Sequence, residues 1–132
     1  MIAYKTALGA ALLALVACAA LPPGRPMTMM PAGDCFSTTQ WRGWSSPTDD
    51  VLYLRVGAND IYRIDLVPGS GRIDHNGDFI ISQVTGSTRV CSANDMQLSI
   101  ANSAGFRSPI FPRAIRKLTA EEVAALPPSD RP

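Results

Sequence analysis

The stretch Val51-Leu52-Tyr53-Leu54-Arg55-Val56-Gly57-Ala58-Asn59-Asp60-Ile61-Tyr62-Arg63-Ile64-Asp65-Leu66-Val67 decides the fold class. Leu52, Leu54 and Val56 fall on one parity with Tyr53 and Arg55 on the other; Tyr62, Ile64 and Leu66 then repeat the pattern against Arg63 and Asp65. A β-strand sends alternate side chains to opposite faces, so period two predicts two strands, each with one buried and one wet face. Gly57-Ala58-Asn59-Asp60 is turn-forming and joins them as a hairpin. Working outward, Asn76-Gly77 carries the residues that tolerate a type I′ turn and would set Ile73 opposite Ile80. Met96, Leu98 and Ile100 alternate with Gln97, Ser99 and Ala101, Ala114 to Leu118 gives a last strand, and Thr38 to Trp44 a first. Thr119-Ala120-Glu121-Glu122 has capping-box spacing and opens a short helix that Pro127-Pro128 stops. The expected fold is all-β, a small curled antiparallel sheet, barrel-like or sandwich-like, with one short C-terminal helix.

Upstream of these strands the chain changes character. Lys5 and the uncharged apolar run Ala7 to Ala17 read as an export signal. The apolar stretch from Thr6 to Leu21 is short of the roughly 20 residues that span a bilayer and ends in Pro22-Pro23-Gly24, which argues against a retained transmembrane helix. Leu15-Val16-Ala17-Cys18 resembles the lipobox of bacterial lipoproteins, which implies cleavage before Cys18 and acylation of its thiol. The competing reading is ordinary cleavage at Ala17-Cys18-Ala19. In Gram-negative lipoproteins Asp after the cysteine implies inner-membrane retention, so Ala19 points to the periplasmic face of the outer membrane. The expected division is a signal over 1–17, a lipidated cysteine and Pro-rich tether over 18–34, a β domain over 35–126 and a tail over 127–132. Pro22, Pro23, Pro26 and Pro31 favour an extended tether, and Met27, Met29 and Met30 within it read as slack in preference to a soft copper site.

Composition excludes several function classes. The chain has 12 Lys plus Arg and 11 Asp plus Glu, and loss of Lys5 with the signal evens that balance. A nucleic-acid binder needs an excess of basic residues gathered on one face, and no such run occurs. With Cys18 given to lipid, Cys35 and Cys91 remain in a chain that reaches an oxidising compartment, which favours one disulfide over two separate buried thiols.

The residues from Cys35 to about Leu126 resemble a proteobacterial family of small secreted proteins classed as a domain of unknown function. The resemblance rests on Cys35, Trp41, the strand pair through Leu52 and Tyr62, the Cys91-x-x-x-Asp95 step and the closing Ile115-Arg116-Lys117-Leu118-Thr119. Further cysteines of that pattern are missing here, with Ser70 after the second hairpin strand and no cysteine near Ile110. Their joint loss implies that they pair with each other, leaving Cys35 for Cys91. The resemblance implies no activity, cofactor or catalytic residue.

The remaining polar clusters fail as catalytic or metal motifs. Asp74-His75-Asn76-Gly77-Asp78 begins like a calcium loop but has Phe79 at the required glycine and Thr85 at the bidentate glutamate. One histidine cannot supply a usual zinc set, and Pro68-Gly69-Ser70-Gly71 lacks the G-x-S-x-G elbow. Asp49 and Asp50, adjacent on a turn, do not face one cleft as glycosidase carboxylates must. No cofactor or metal is expected. Trp41-Arg42-Gly43-Trp44 is the candidate ligand contact: three apart on a regular strand, Trp41 and Trp44 face opposite sides, one in the core and the other partly exposed to a sugar or peptidoglycan. The expected function is therefore a noncatalytic envelope lipoprotein, membrane-bound through its N-terminal lipid, with an envelope protein or peptidoglycan as partner and no nucleic acid. The alternative is a small inhibitor of an envelope-attacking enzyme such as lysozyme, and a small enzyme comes third, if Asp74, His75 and Asp78 or Asp95 lined one cleft.

Overall fold

A computed structural model describes residues 29–70, 73, 77–83 and 86–132. The signal segment, Cys18, His75 and the Asn76 half of the expected turn lie outside these residues. The nine strands are β1 (Phe36–Ser37), β2 (Trp41–Thr48), β3 (Val51–Val56), β4 (Asp60–Leu66), β5 (Asp78–Gln83), β6 (Arg89–Val90), β7 (Gln97–Asn102), β8 (Arg107–Ile110) and β9 (Pro112–Lys117). One helix, α1 (Ala120–Ala125), follows. All pairings among the described residues are antiparallel, in a four-stranded sheet β2-β3-β4-β9, a three-stranded sheet β5-β7-β8 and a two-stranded ribbon β1-β6. Among the described residues no sheet closes into a barrel, and the two larger sheets both contribute side chains to the core.

The alternating stretch forms the central hairpin. Leu54 lies opposite Tyr62 and Leu52 opposite Ile64, and Gly57 turns the chain with φ of 62°, a conformation that glycine adopts without steric penalty. Leu52, Leu54, Ile64 and Leu66 are fully enclosed, and Leu98, Ile100 and Ile110 meet them from the other sheet. Each such side chain contributes on the order of 2 kcal/mol by leaving water. The β3–β4 hairpin's other face is not simply wet as expected. Tyr53, Ile61 and Leu118 form a second apolar cluster, which Val51 and the helix-side residues Val123 and Leu126 cover. The capping box is as read: Thr119 Oγ1 accepts the Glu122 N–H at 3.3 Å, and Glu122 Oε2 accepts the Thr119 N–H at 2.9 Å. Glu122 also receives Arg116 at 2.8 Å, which ties the first turn of α1 to β9.

Cys35 and Cys91 are joined by a disulfide, with Cα atoms 4.5 Å apart. They form the rung beyond Phe36 and Val90, so the bond staples the short β1-β6 ribbon across its strands.

Three expectations are corrected. Ile73 does not pair with Ile80; β5 instead lies along β7, with Ile80 opposite Ile100. Ile73 is a core plug whose backbone N–H reaches Asp49 Oδ1 at 3.4 Å. The folded region also begins before Cys35, since Met30 is 7% exposed in the main core and its N–H donates to the Cys91 carbonyl at 2.8 Å. The stretch after Pro127 is not a free tail. It makes a 3-10 turn, Pro128–Asp130, the Asp130 carbonyl accepts Ser45 Oγ–H, and Arg131 donates to the carbonyls of Leu126 at 3.0 Å and Ala124 at 2.8 Å. These last carbonyls of a helix have no partner within it, and the guanidinium supplies one.

Candidate functional site

The Trp41-Arg42-Gly43-Trp44 segment reads differently in three dimensions. β2 is irregular between Trp41 and Gly43, so Trp41 sits opposite Val56 and Trp44 opposite Leu54. Both partners face the main core, and the extra residue in β2 resets the parity that three-residue spacing implies. Trp41 and Trp44 therefore share the core side, each half-buried against it, and Trp41 Nε1–H donates to the Gly43 carbonyl at 2.8 Å. Both rings therefore pack on the core while keeping part of their surface exposed.

A cleft of about 280 Å³ opens beside the disulfide, between the β3–β4 turn (Gly57, Ala58, Asn59, Asp60), Gln40 and the Gly33 to Phe36 segment. Three of its polar side chains are engaged internally. Tyr62 donates its hydroxyl to the Asp34 carbonyl at 2.8 Å, Gln40 Oε1 accepts the Ser37 N–H at 3.3 Å, and Asp60 pairs with Lys117 at 3.0 Å. Burial pushes the Tyr62 phenol above its ordinary value, and the hydrogen bond to Asp60 raises Lys117, so each keeps its proton at neutral pH.

The other sequence candidates also have structural roles. Asp49 accepts the Ile73 N–H, and Ser70 Oγ–H donates to the Val67 carbonyl. Asp95 Oδ2 accepts the N–H groups of Cys91 at 2.9 Å and Ser92 at 2.8 Å, which lowers its pKa. The cysteine-to-aspartate step thus folds the disulfide's second cysteine into a 3-10 turn at Ala93–Asp95. Among the described residues no three His, Cys, Asp or Glu side chains are grouped to hold a metal ion. Asp78 opens β5, while Asp74 and His75 lie outside the described residues.

Phe79, Phe106 and Phe111 are exposed aromatic side chains, and of these Phe79 stands within a strand, on the outer face of β5-β7-β8. Leu98 and Ile100 point into the core, so the opposite parity faces outward. Register sets three rungs there: Phe79, Ala101 and Arg107; Ile81, Ser99 and Pro109; Gln83 and Gln97. Phe79 is 59% exposed, whereas Ala101 between it and Arg107 is nearly covered. The four-stranded sheet has α1-side residues over its outer apolar cluster, whereas on this face Phe79, Gln83, Gln97, Arg107 and Pro109 are exposed. Arg107 has no ion-pair partner among the described residues. Two signals mark this face in the sequence: three consecutive apolar residues, Phe79-Ile80-Ile81, which leave a strand apolar on both sides, and Arg107-Ser108-Pro109-Ile110, whose proline disguises β8.

Comparison with protein-family models, with curated proteins and with solved structures returns no match in any of the three.

Proposed function

We propose that this chain is a noncatalytic interaction module of the bacterial cell envelope, anchored by lipid on Cys18 to the periplasmic face of the outer membrane, which meets its partner with the outer face of β5, β7 and β8. One observation carries the choice of surface: Phe79 stands exposed in the middle of a regular strand, on the outward parity of its sheet, while the equivalent face of the other sheet carries an apolar cluster packed by Val123 and Leu126. Placing an aromatic side chain in water forgoes a burial gain of roughly 2 kcal/mol, which contact with a partner recovers. In the cleft the Tyr62 hydroxyl and the Asp60 carboxylate are held by internal bonds, which supports a binding role over chemistry. We also infer kinship with the secreted family of unknown function, for which Asp95's bonds to Cys91 and Ser92 give the shared Cys-x-x-x-Asp step a physical reason.

The test is crosslinking in intact cells through a photo-reactive phenylalanine analogue in place of Phe79, followed by mass spectrometry. The expected outcome is a reproducible adduct with an envelope component. A reproducible small-molecule conversion by the purified protein would instead make it an enzyme.

A further inference from the structure

We infer that the outer face of β5, β7 and β8 docks an N-acetylated glycan strand whose substituents carry carboxylates, an inference that rests on the reading of this face as the interaction surface. Its chemistry is graded along the strands. Phe79 offers an apolar ring face at one end, suited to the C–H side of a pyranose, and Arg107 stands two strands away on the same rung. Arg107 is the one charged side chain on the three rungs and has no ion-pair partner among the described residues, so the complementary ligand group is an anion, and a planar carboxylate matches its fork. At the far end Gln83 and Gln97 lie opposite each other with Ser99 beside them, a set of amides and a hydroxyl that can both donate to and accept from acetamido and hydroxyl groups.

Other occupants fit these observations less well. The rungs span about 14 Å along the strands and about 10 Å across them, far short of the roughly 800 Å² per partner that a stable pair of protein copies buries. A bilayer would leave the amides of Gln83 and Gln97 and the hydroxyl of Ser99 without partners in hydrocarbon. An oligosaccharide has the length, the alternation of apolar and polar groups and the shallow footprint that such a face requires.

The test is sedimentation of the full chain, expressed and processed in bacterial cells and purified in detergent, with isolated peptidoglycan sacculi, which carry carboxylates, and with chitin, which is N-acetylated but neutral. Binding to sacculi is expected to exceed binding to chitin, and Phe79→Ala and Arg107→Gln should each weaken sacculus binding at least about five-fold. Arg107→Gln should also abolish the preference over chitin, while Glu121→Gln on α1 leaves binding unchanged. Thermal melts of each variant separate lost binding from lost folding. Absence of sacculus binding, or binding that ignores both substitutions in folded protein, overturns the inference. If sacculus binding fails but the Phe79 crosslink captures an envelope protein, the face remains an interaction surface with a protein as its partner; if both fail, both readings fall.

Discussion

The carboxylate of Asp95 gathers the backbone N–H groups of Cys91 and Ser92, two donors that the 3-10 turn at Ala93–Asp95 leaves without a carbonyl partner. A side chain satisfying such orphan donors stabilises by about 1 kcal/mol, so Asp95→Ala should lower the denaturant midpoint by a matching amount at neutral pH. The hydrogen bond from Cys91 is the main reason the folded-state pKa lies below the ordinary value of 3.8, with burial opposing it. A depressed carboxylate contributes stability that is present above its unfolded pKa and is lost as the pH falls through the folded one. Wild type and Asp95→Ala should therefore differ at pH 7 and converge as the solution is acidified below the ordinary carboxylate value. A constant difference down to low pH would mean that the charge has no part in it. The sequence showed Asp95 only as a spacing from Cys91; the direction in which the chain turns after Cys91, which makes the spacing useful, is a product of the β1-β6 ribbon.

At the scale of elements, what could be read from the sequence depended on regularity. The β3-β4 hairpin was legible because its buried face alternates without interruption, and the helix because Thr119 and Glu122 fix its first turn. The tryptophan parity was not, since the irregularity between Trp41 and Gly43 is decided by how β2 lies on β3. Nor was the pairing of β5, because Ile73 and Ile80 suit a hairpin as well as Ile100 suits Ile80, and only the demand for a core plug beside Asp49 separates them. Met30 follows the same logic: four prolines mark a tether, but one unbranched thioether side chain can fill a gap from an extended strap. The strap depends on the disulfide, which closes a separation of 56 residues. In the chain-entropy model that closure removes about 4 kcal/mol of unfolded-state freedom. Reduction should therefore lower the melting temperature by well over 10 °C, given about 4–8 °C per kcal/mol for a domain of this size. Thiol labelling of the denatured, unreduced protein should find both Cys35 and Cys91 blocked. An unchanged melt after complete reduction would show that β1-β6 pairing and Met30 burial hold the strap without the bond.

For the whole molecule, the anchor and the domain are separate devices in our reading. Among the described residues no helix is long and apolar enough to cross a membrane. We assign membrane attachment to Cys18, where each buried methylene of an acyl chain contributes about 0.8 kcal/mol, so that more than one chain holds the protein almost permanently. Because Met30 is already fixed to Cys91 and the core, the chain between Cys18 and Met30 can reach no farther than about 40 Å, which confines the Phe79 face to partners near the bilayer. Acylation needs the thiol. Cys18→Ser should therefore leave uncut precursor or a form trimmed at the neighbouring alanines, released from the membrane yet melting like the wild type, since the core residues described begin at Met30. The wild-type N-terminal peptide should carry the mass of a diacylglycerol plus a fatty acyl chain and should partition into detergent. A wild-type N-terminus at Ala20 or Leu21 without lipid would overturn the anchor. The fold and the proposal for the Phe79 face would stand in that case, but the short reach would no longer limit where the domain finds its partner.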